Sequence, residues 1–333
     1  MSVKKTAQAV EKELKRAKNV LVASHRDPDG DSLGSQLALI SYLKSKKKKV
    51  LALNQGKIPN KYRFLDPSGW IREAPSPLPP FVPDMAFVVE CPSLERIGCV
   101  QKLLRPETLI VNFDHHPQNQ KFGKINWLDT KASAVGEMVY DFLTAVRFKI
   151  SAPVAQAIYT AILTDTGRFR YHSTSPRTLE ICARLMKLGA DSQKVTEEIY
   201  YKVSEADLRL VAKVLDGAQL YRGGEICFLS IDQGNLASTG AKFEDTEGIV
   251  DYSLYIRDVK VGVLFKEIAP VRTKVSLRSQ NGIDISRVAK FFGGGGHANA
   301  SGCALDMPMG AAKRMVLKKV SELLENGRLA GDK

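Results

Sequence analysis

The sequence predicts an α/β protein in two parts. The first is an N-terminal domain with a mostly parallel sheet and helices on both faces; the second is a smaller α+β C-terminal domain, with a cleft between them. Three observations carry this. The chain has 333 residues, room for two domains at roughly 150 residues each. In the first half, short β-prone apolar runs alternate with helical patterns, the rhythm of a parallel sheet whose crossovers are helices. After about residue 190 that rhythm stops, charged helical sequence takes over, and strand-like runs return with fewer helices between them. The expected division is 1–190, a helical linker at 191–215, and 216–333.

Taken in order, residues 19–24 (NVLVAS) form a short apolar strand that leads into an acidic, glycine-containing turn. A helical pattern follows at 35–46, ending in the run Lys46 to Lys49, where cations complement the carboxyl end of a helix. Residues 49–53, 85–90 and 108–114 are further strands, and PSPLPPFVP at 75–83 is a rigid surface connection. Helices are expected at 133–146, 153–163 and 176–188, then one or two charged helices over 192–220. In the last part, 226–231, 259–265 and 274–278 read as strands, 246–256 and 285–292 as helices, and 309–326 as a terminal amphipathic helix.

Composition narrows the function classes. With 44% apolar and 26% charged residues the chain can build cores. No stretch approaches the ~18 consecutive apolar residues of a membrane span, and the first residues lack the apolar segment of a signal peptide. Five scattered cysteines form no CxxC, which argues against a disulfide framework or a zinc knuckle and fits a reducing cytoplasm. The net charge of +13 favours a polyanionic partner.

The chemistry-bearing residues gather at the ends of the expected strands. They are His25, Asp29 and Asp31 in HRDPDGD, Glu90 ending MAFVVE, Asp114-His115-His116 ending TLIVNFDHH, and Asp165 in AILTDTGRF. In an open α/β sheet ligands collect outside the carboxyl ends of the strands. An Asp-Pro-Asp-Gly-Asp string by itself also reads as a turn. Three of the five histidines fall at these ends, however, and imidazole with carboxylate and no thiolate suits Mn²⁺ first, then Mg²⁺ or Fe²⁺. Asp29 and Asp31, two apart, can face different cations, and such a pair can clamp a phosphate and activate a water.

These motifs, with FFGGGGHANASGC at 291–303, resemble the DHH phosphoesterase family with its DHH-associated C-terminal domain, in the NrnA-like branch of nanoRNases and pAp phosphatases. The resemblance implies two Mn²⁺ per active site, Mg²⁺ being an alternative. Their ligands would be His25, Asp29, Asp31, Glu90, His115 and Asp165, with His116 at the scissile phosphate and Asp114 orienting its neighbours. Arg278, Gly294, Gly295, Gly296 and His297 would bind substrate. It implies hydrolysis of short RNA oligonucleotides to mononucleotides and removal of the 3′-phosphate of pAp. Two alternatives stand beside it: a phosphodiesterase for cyclic dinucleotides such as c-di-AMP or their linear product pApA, and a non-catalytic nucleotide- or RNA-binding protein disabled at Glu90. Position 90 is where the family pattern has Asp; Glu adds about 1.5 Å of reach. A cytoplasmic protein without a membrane partner, with a homodimer as its expected assembly, completes the reading. Trp70, Trp127 and Cys303 read as packing, Tyr200 and Tyr201 as half-buried on the linker, and His172 has no assigned role.

Overall fold

The computed structural model describes residues 2–246, 248–280 and 282–331. The chain divides into two compact units, Met1–Lys202 and Val203–Lys333. The stretch expected as a linker is helical, and the division falls inside it.

The first unit holds six strands: β1 Asn19–Ala23, β2 Lys49–Asn54, β3 Ile71–Glu73, β4 Met85–Val89, β5 Leu109–Asp114 and β6 Ile125–Leu128. All pair in parallel, in the order β3-β2-β1-β4-β5-β6. The order reverses between β1 and β4, so the connections leaving their carboxyl ends diverge and open a crevice there. The sequence pattern does not reveal β3 and β6: three or four residues at a sheet edge are too short to show a period. The helices are α1 Val3–Leu14, α2 Gly30–Ser45, α3 Val135–Ala145, α4 Ala152–Asp165, α5 Pro176–Lys187 and α6 Ser192–Thr196, the last running into a π-helical turn, Glu197–Tyr201.

One face of the sheet, carrying Val20, Val22, Phe87, Val111 and Phe113, packs against the α-helices. The other, carrying Leu21, Leu53, Ala86 and Val88, is covered by the 3₁₀ segment Leu94–Leu103 and by Leu78 and Phe81 of the proline-rich stretch. Helix α2 is buried nearly all round, sandwiched between sheet and α4. That sandwich needs Gly34: a Cβ there would sit 2.2 Å from the Ala157 carbonyl oxygen. α2 begins at Gly30, five residues before the sequence pattern suggests, because Asp29 caps it and the first turn consists of the functional residues themselves.

The second unit carries β7 Gln219–Tyr221, β8 Ile226–Ile231, β9 Val261–Ala269, β10 Arg272–Ser279, β11 Gly295–Gly296 and β12 Ala300–Leu305. Their order is β11-β12-β10-β9-β8-β7, antiparallel except for the β8–β9 pair. Helices α7 Glu205–Asp216 and α8 Gln233–Thr239 and the 3₁₀ segment Ile249–Tyr255 lie on one face; α9 Ser286–Phe291 and α10 Met309–Gly331 cover the other. Trp127 and Cys303 are core residues and Trp70 packs at the core's edge, as expected. Tyr200 is partly buried with the Arg168 guanidinium 4.6 Å from its ring centre, but Tyr201 is 74% exposed, not half-buried. The π-helical turn redirects the second ring to solvent.

Candidate metal centre

The crevice at the carboxyl ends of β1 and β4 is where the first unit gathers its histidines and carboxylates. His25 follows β1 and is buried. Its Nδ1 lies 2.7 Å from the Arg26 carbonyl oxygen, an acceptor only, so Nδ1 carries a proton and Nε2 faces the crevice. There Nε2 meets Glu90 Oε2 at 2.6 Å, Ser32 Oγ at 2.9 Å and Asp29 Oδ2 at 3.8 Å. Asp29 divides its carboxylate: Oδ1 accepts from the Ser32 N–H at the start of α2, while Oδ2 turns toward His25.

Asp31, in the first turn of α2, is 1% exposed. Its oxygens accept from the backbone N–H groups of Val135 (2.7 Å) and Gly136 (2.8 Å), the first residues of α3, and from Ser35 Oγ. The helix start and the carboxylate thus satisfy each other. Asp114 ends β5 fully buried; its Oδ1 accepts from His116 Nδ1 at 2.8 Å and its Oδ2 from Asn119 Nδ2 at 2.6 Å. His115 donates from Nδ1 to the Ala132 carbonyl at 3.0 Å, and its Nε2 lies 3.4 Å from Asp165 Oδ2. All three imidazoles are therefore held at Nδ1 by an oxygen and present Nε2 to the crevice, the arrangement that fixes a ligating histidine's tautomer.

Glu90 links the set. Beyond its contact with His25, its other oxygen lies 3.5 Å from His116 Nε2. It sits at φ 53°, a left-handed conformation that a non-glycine residue adopts at a cost of about 1–3 kcal/mol. Two compact ligand groups result, His25-Asp29-Glu90 and Asp31-His115-Asp165, each with donor atoms within 4.8 Å of one another.

The electrostatics fit a cation. Burial drives the Asp31 carboxyl well above the usual range, and the charge of Asp165 pushes it further. Asp165 is itself lifted to about 6 by burial and by Asp29 and Glu90, which outweigh His115. It also ends α4, where the helix dipole already disfavours negative charge. His25 and His115 are held up to about 9: burial disfavours their charged forms, but the surrounding carboxylates, Glu90 and Asp29 for His25 and Asp165, Asp31 and Glu90 for His115, together more than compensate. Glu90 is depressed despite burial because His25 and His116 face it. Protons on the imidazoles thus do part of what a divalent cation would do. With no thiolate in the set, the donors suit Mn²⁺ or Mg²⁺.

Ser32, Asn119 and Asn112 belong to the hydrogen-bond network of this cluster, and the sequence reading misses them. Ser32 Oγ bridges His25 Nε2 and Glu90 Oε2 and is bonded behind by Ser24 Oγ. Its place directly after Asp31 in the first turn of α2 is the available signal. Asn119 joins Asp114 to Asn112, whose amide reaches the Val88 and Cys91 carbonyls; nothing in the PQNQ loop sequence marks it.

In the second unit, Arg278 is the penultimate residue of β10 and its Nε donates to Asp251 Oδ1 at 3.0 Å, a partner the sequence does not suggest. The Gly294 N–H is spent on the Ala289 carbonyl, closing α9, and a Cβ at Gly294 would lie 2.1 Å from the Gly302 carbonyl oxygen. That glycine serves close packing. Gly295 and Gly296 form the edge strand β11, and the His297 N–H turns back to the Ala300 carbonyl.

Residues 19–163 match the DHH family, N-terminal domain, and residues 225–326 the DHHA1 domain. The "Bifunctional oligoribonuclease and PAP phosphatase NrnA" of Thermus thermophilus is 30% identical over 92% of this chain and 90% of that protein. The "Probable bifunctional oligoribonuclease and PAP phosphatase NrnA" of Streptococcus mutans is 30% identical over 87% and 90%. Among solved structures, an exopolyphosphatase-related protein from Bacteroides fragilis superposes with a TM-score of 0.86 at 26% identity, covering 98% of this chain and 97% of the other. RecJ from Thermus thermophilus in complex with Mn²⁺ shares the fold at a TM-score of 0.53 and 13% identity, over 98% of this chain and 54% of RecJ. Histidines and carboxylates converging beyond β1, β4 and β5, two matched domains and full-length relatives at 30% identity lead to one conclusion: the chain belongs to the DHH family, with an N-terminal DHH domain followed by a DHHA1 domain.

Proposed function

We propose that this protein is a divalent-metal-dependent phosphoesterase that hydrolyses short oligoribonucleotides to mononucleotides and removes the 3′-phosphate of pAp. The observation that carries the reading is the pair of ligand groups joined through Glu90, a member of the first whose carboxylate lies within 4.8 Å of a His115 nitrogen of the second. The names of the Thermus and Streptococcus relatives supply the substrate class.

In this reading His25, Asp29 and Glu90 hold one cation, and Asp31, His115 and Asp165 the other, Mn²⁺ being the first choice and Mg²⁺ the second. Such a pair, when bound, supplies Lewis acidity at a phosphoryl oxygen and a water of lowered pKa. The residues do the rest. Asp114 fixes the His116 ring through Nδ1, leaving Nε2 to donate to the phosphate or the departing oxygen. Asn119 holds Asp114 in turn. Asp31, tied to the start of α3, and Asp29, tied to the start of α2, keep their carboxylates in place before any ligand arrives. The DHHA1 domain grips the nucleotide, with Arg278 presenting a guanidinium already aligned by Asp251, and with Gly295, Gly296 and His297 at a strand edge.

The test is product analysis with purified protein and Mn²⁺ on pApA, three- to five-residue oligoadenylates, pAp and c-di-AMP in parallel. Turnover of the short linear RNAs and of pAp, absent in His115→Ala, supports the reading. Preferential turnover of c-di-AMP replaces it with a cyclic-dinucleotide phosphodiesterase.

A further inference from the structure

The cations of Lys46 to Lys49 find no use in the cleavage site, yet they do not stand alone. The turn between α2 and β2 is bonded to the end of α1: Lys46 Nζ lies 2.9 Å from Glu11 Oε1, Lys48 Nζ donates to the Ala17 carbonyl, and the Lys49 N–H donates to the Lys18 carbonyl. Two segments distant in sequence thereby form one surface bearing Lys15, Arg16 and Lys18 from one side, and Lys44 and residues 46–49 from the other. All of these are exposed except Lys48, which is half-buried. Against these eight cations the structure sets the carboxylates of Glu11 and Asp84, with Glu13 also in the last turn of α1, and Asp84 is already committed to the Lys18 and Asn19 N–H groups. The carboxyl ends of α1 and α2 account for roughly one charge between them. The surface is therefore basic well beyond what its helices require. Arg16 and Lys47 pair with no carboxylate among the described residues.

Its position is equally specific. Lys18 precedes β1 and His25 follows it, so the patch lies at the amino end of the sheet, roughly 20 Å from the crevice at about 3.3 Å per residue. We propose that this face is a second nucleic-acid contact, an exosite that captures the backbone of single-stranded RNA longer than the oligonucleotides cleaved. Two features favour RNA over a lipid surface. Among the described residues up to Val82 the exposed large apolar side chain is Val82 itself, beside Asn19 at the patch, and a single valine is far short of the Trp, Phe and Leu face that anchors in a bilayer. Lys44 lies 4.4 Å over the Trp70 ring and Lys49 6.0 Å over Phe81, so partly exposed aromatic rings lie beneath the cations, the pairing that tracks a single strand. The choice of RNA rests on the nucleotide-cleaving reading.

The experiment uses the full chain with Lys46, Lys47 and Lys49 changed to Gln, leaving Lys48 as the structural cap. Binding of a labelled 20-nucleotide RNA is measured by anisotropy in EDTA from 50 to 200 mM salt, and pApA hydrolysis is measured separately with Mn²⁺. The expected result is at least about tenfold weaker binding at 50 mM salt and a salt slope smaller by about 2, at ~0.7 for each phosphate no longer neutralised, with pApA hydrolysis within twofold of wild type. Unchanged affinity and slope overturn the proposal, as does loss of binding to anionic phosphatidylserine vesicles with RNA binding intact. A parallel fall in pApA hydrolysis and melting temperature assigns the lysines a structural role instead. If the wild type binds RNA through this face but hydrolyses no nucleotide, the cleavage reading fails and the exosite stands.

Discussion

Asp165 separates function from stability most sharply. Its carboxylate ends α4, partly buried among acidic neighbours, and desolvation together with Asp29 and Glu90 lifts it from 3.8 to about 6 despite His115. A folded-state value about two units above the unfolded one means that the ionised group opposes folding by about 3 kcal/mol. The folded chain holds this proton more tightly than the unfolded chain. The cost is therefore absent below about pH 3.8, builds between there and about 6, and is complete above. Asp165→Asn keeps the shape and removes the charge. In EDTA at pH 7.5 the variant should melt roughly 6–12 °C above wild type, at about 2–4 °C per kcal/mol for a unit of this size, and the gain should vanish near pH 4. Saturating Mn²⁺ at about 100 times its dissociation constant should stabilise wild type by about 2.7 kcal/mol and the variant far less. Circular dichroism melts in both conditions decide it. A variant that melts below wild type in EDTA at pH 7.5 refutes the reasoning, because it would show Asp165 held by structural contacts rather than strained against its neighbours.

Other perturbations follow from the same geometry. A cation bound by His25 or His115 must displace protons held up to about 9, so apparent Mn²⁺ affinity should climb steadily from pH 6.5 to 9 with measurable proton release in calorimetry; pH-independent binding contradicts the assignment. Glu90→Gln removes the charge shared by His25 and His116 and should cut hydrolysis at least about 100-fold, at the upper end of ligand-shell effects, whereas Glu90→Asp should stay within about tenfold. A wild type that is inactive until Glu90→Asp restores turnover would establish the non-catalytic alternative. Asn119→Ala should lower kcat by about 10–100-fold through the loosened Asp114–His116 pair, with Mn²⁺ stoichiometry unchanged in an equilibrium titration.

The parts that the sequence makes legible share a physical reason. β1, β4 and β5 are largely buried on both faces and so spell themselves as apolar runs, β5 broken only by Asn112, and each ends on or just before residues too polar for that setting. His25, Glu90 and Asp114 are visible for that reason. β3, β6, β7 and β11 are edge strands of two to four residues, below the length at which alternation can be read. The start of α2 is misplaced by sequence pattern because Asp29, Gly30 and Asp31 read as a turn, and only the tertiary contacts of Asp31 with α3 make them helical. Asn119 and Asp251 are invisible because their importance lies in what they touch. The glycine run is legible as a place needing no side chains, but part of the reason is the closing of α9 and the close approach of β12.

The most direct test of the central claim is the initial rate of pApA hydrolysis as Mn²⁺ is titrated into metal-free protein, with bound metal counted by electron paramagnetic resonance. Two ligand groups joined through Glu90 predict a rate that rises mainly with the second equivalent and levels off at two Mn²⁺ per chain. Full activity at one equivalent, or hydrolysis undiminished in EDTA, would contradict it.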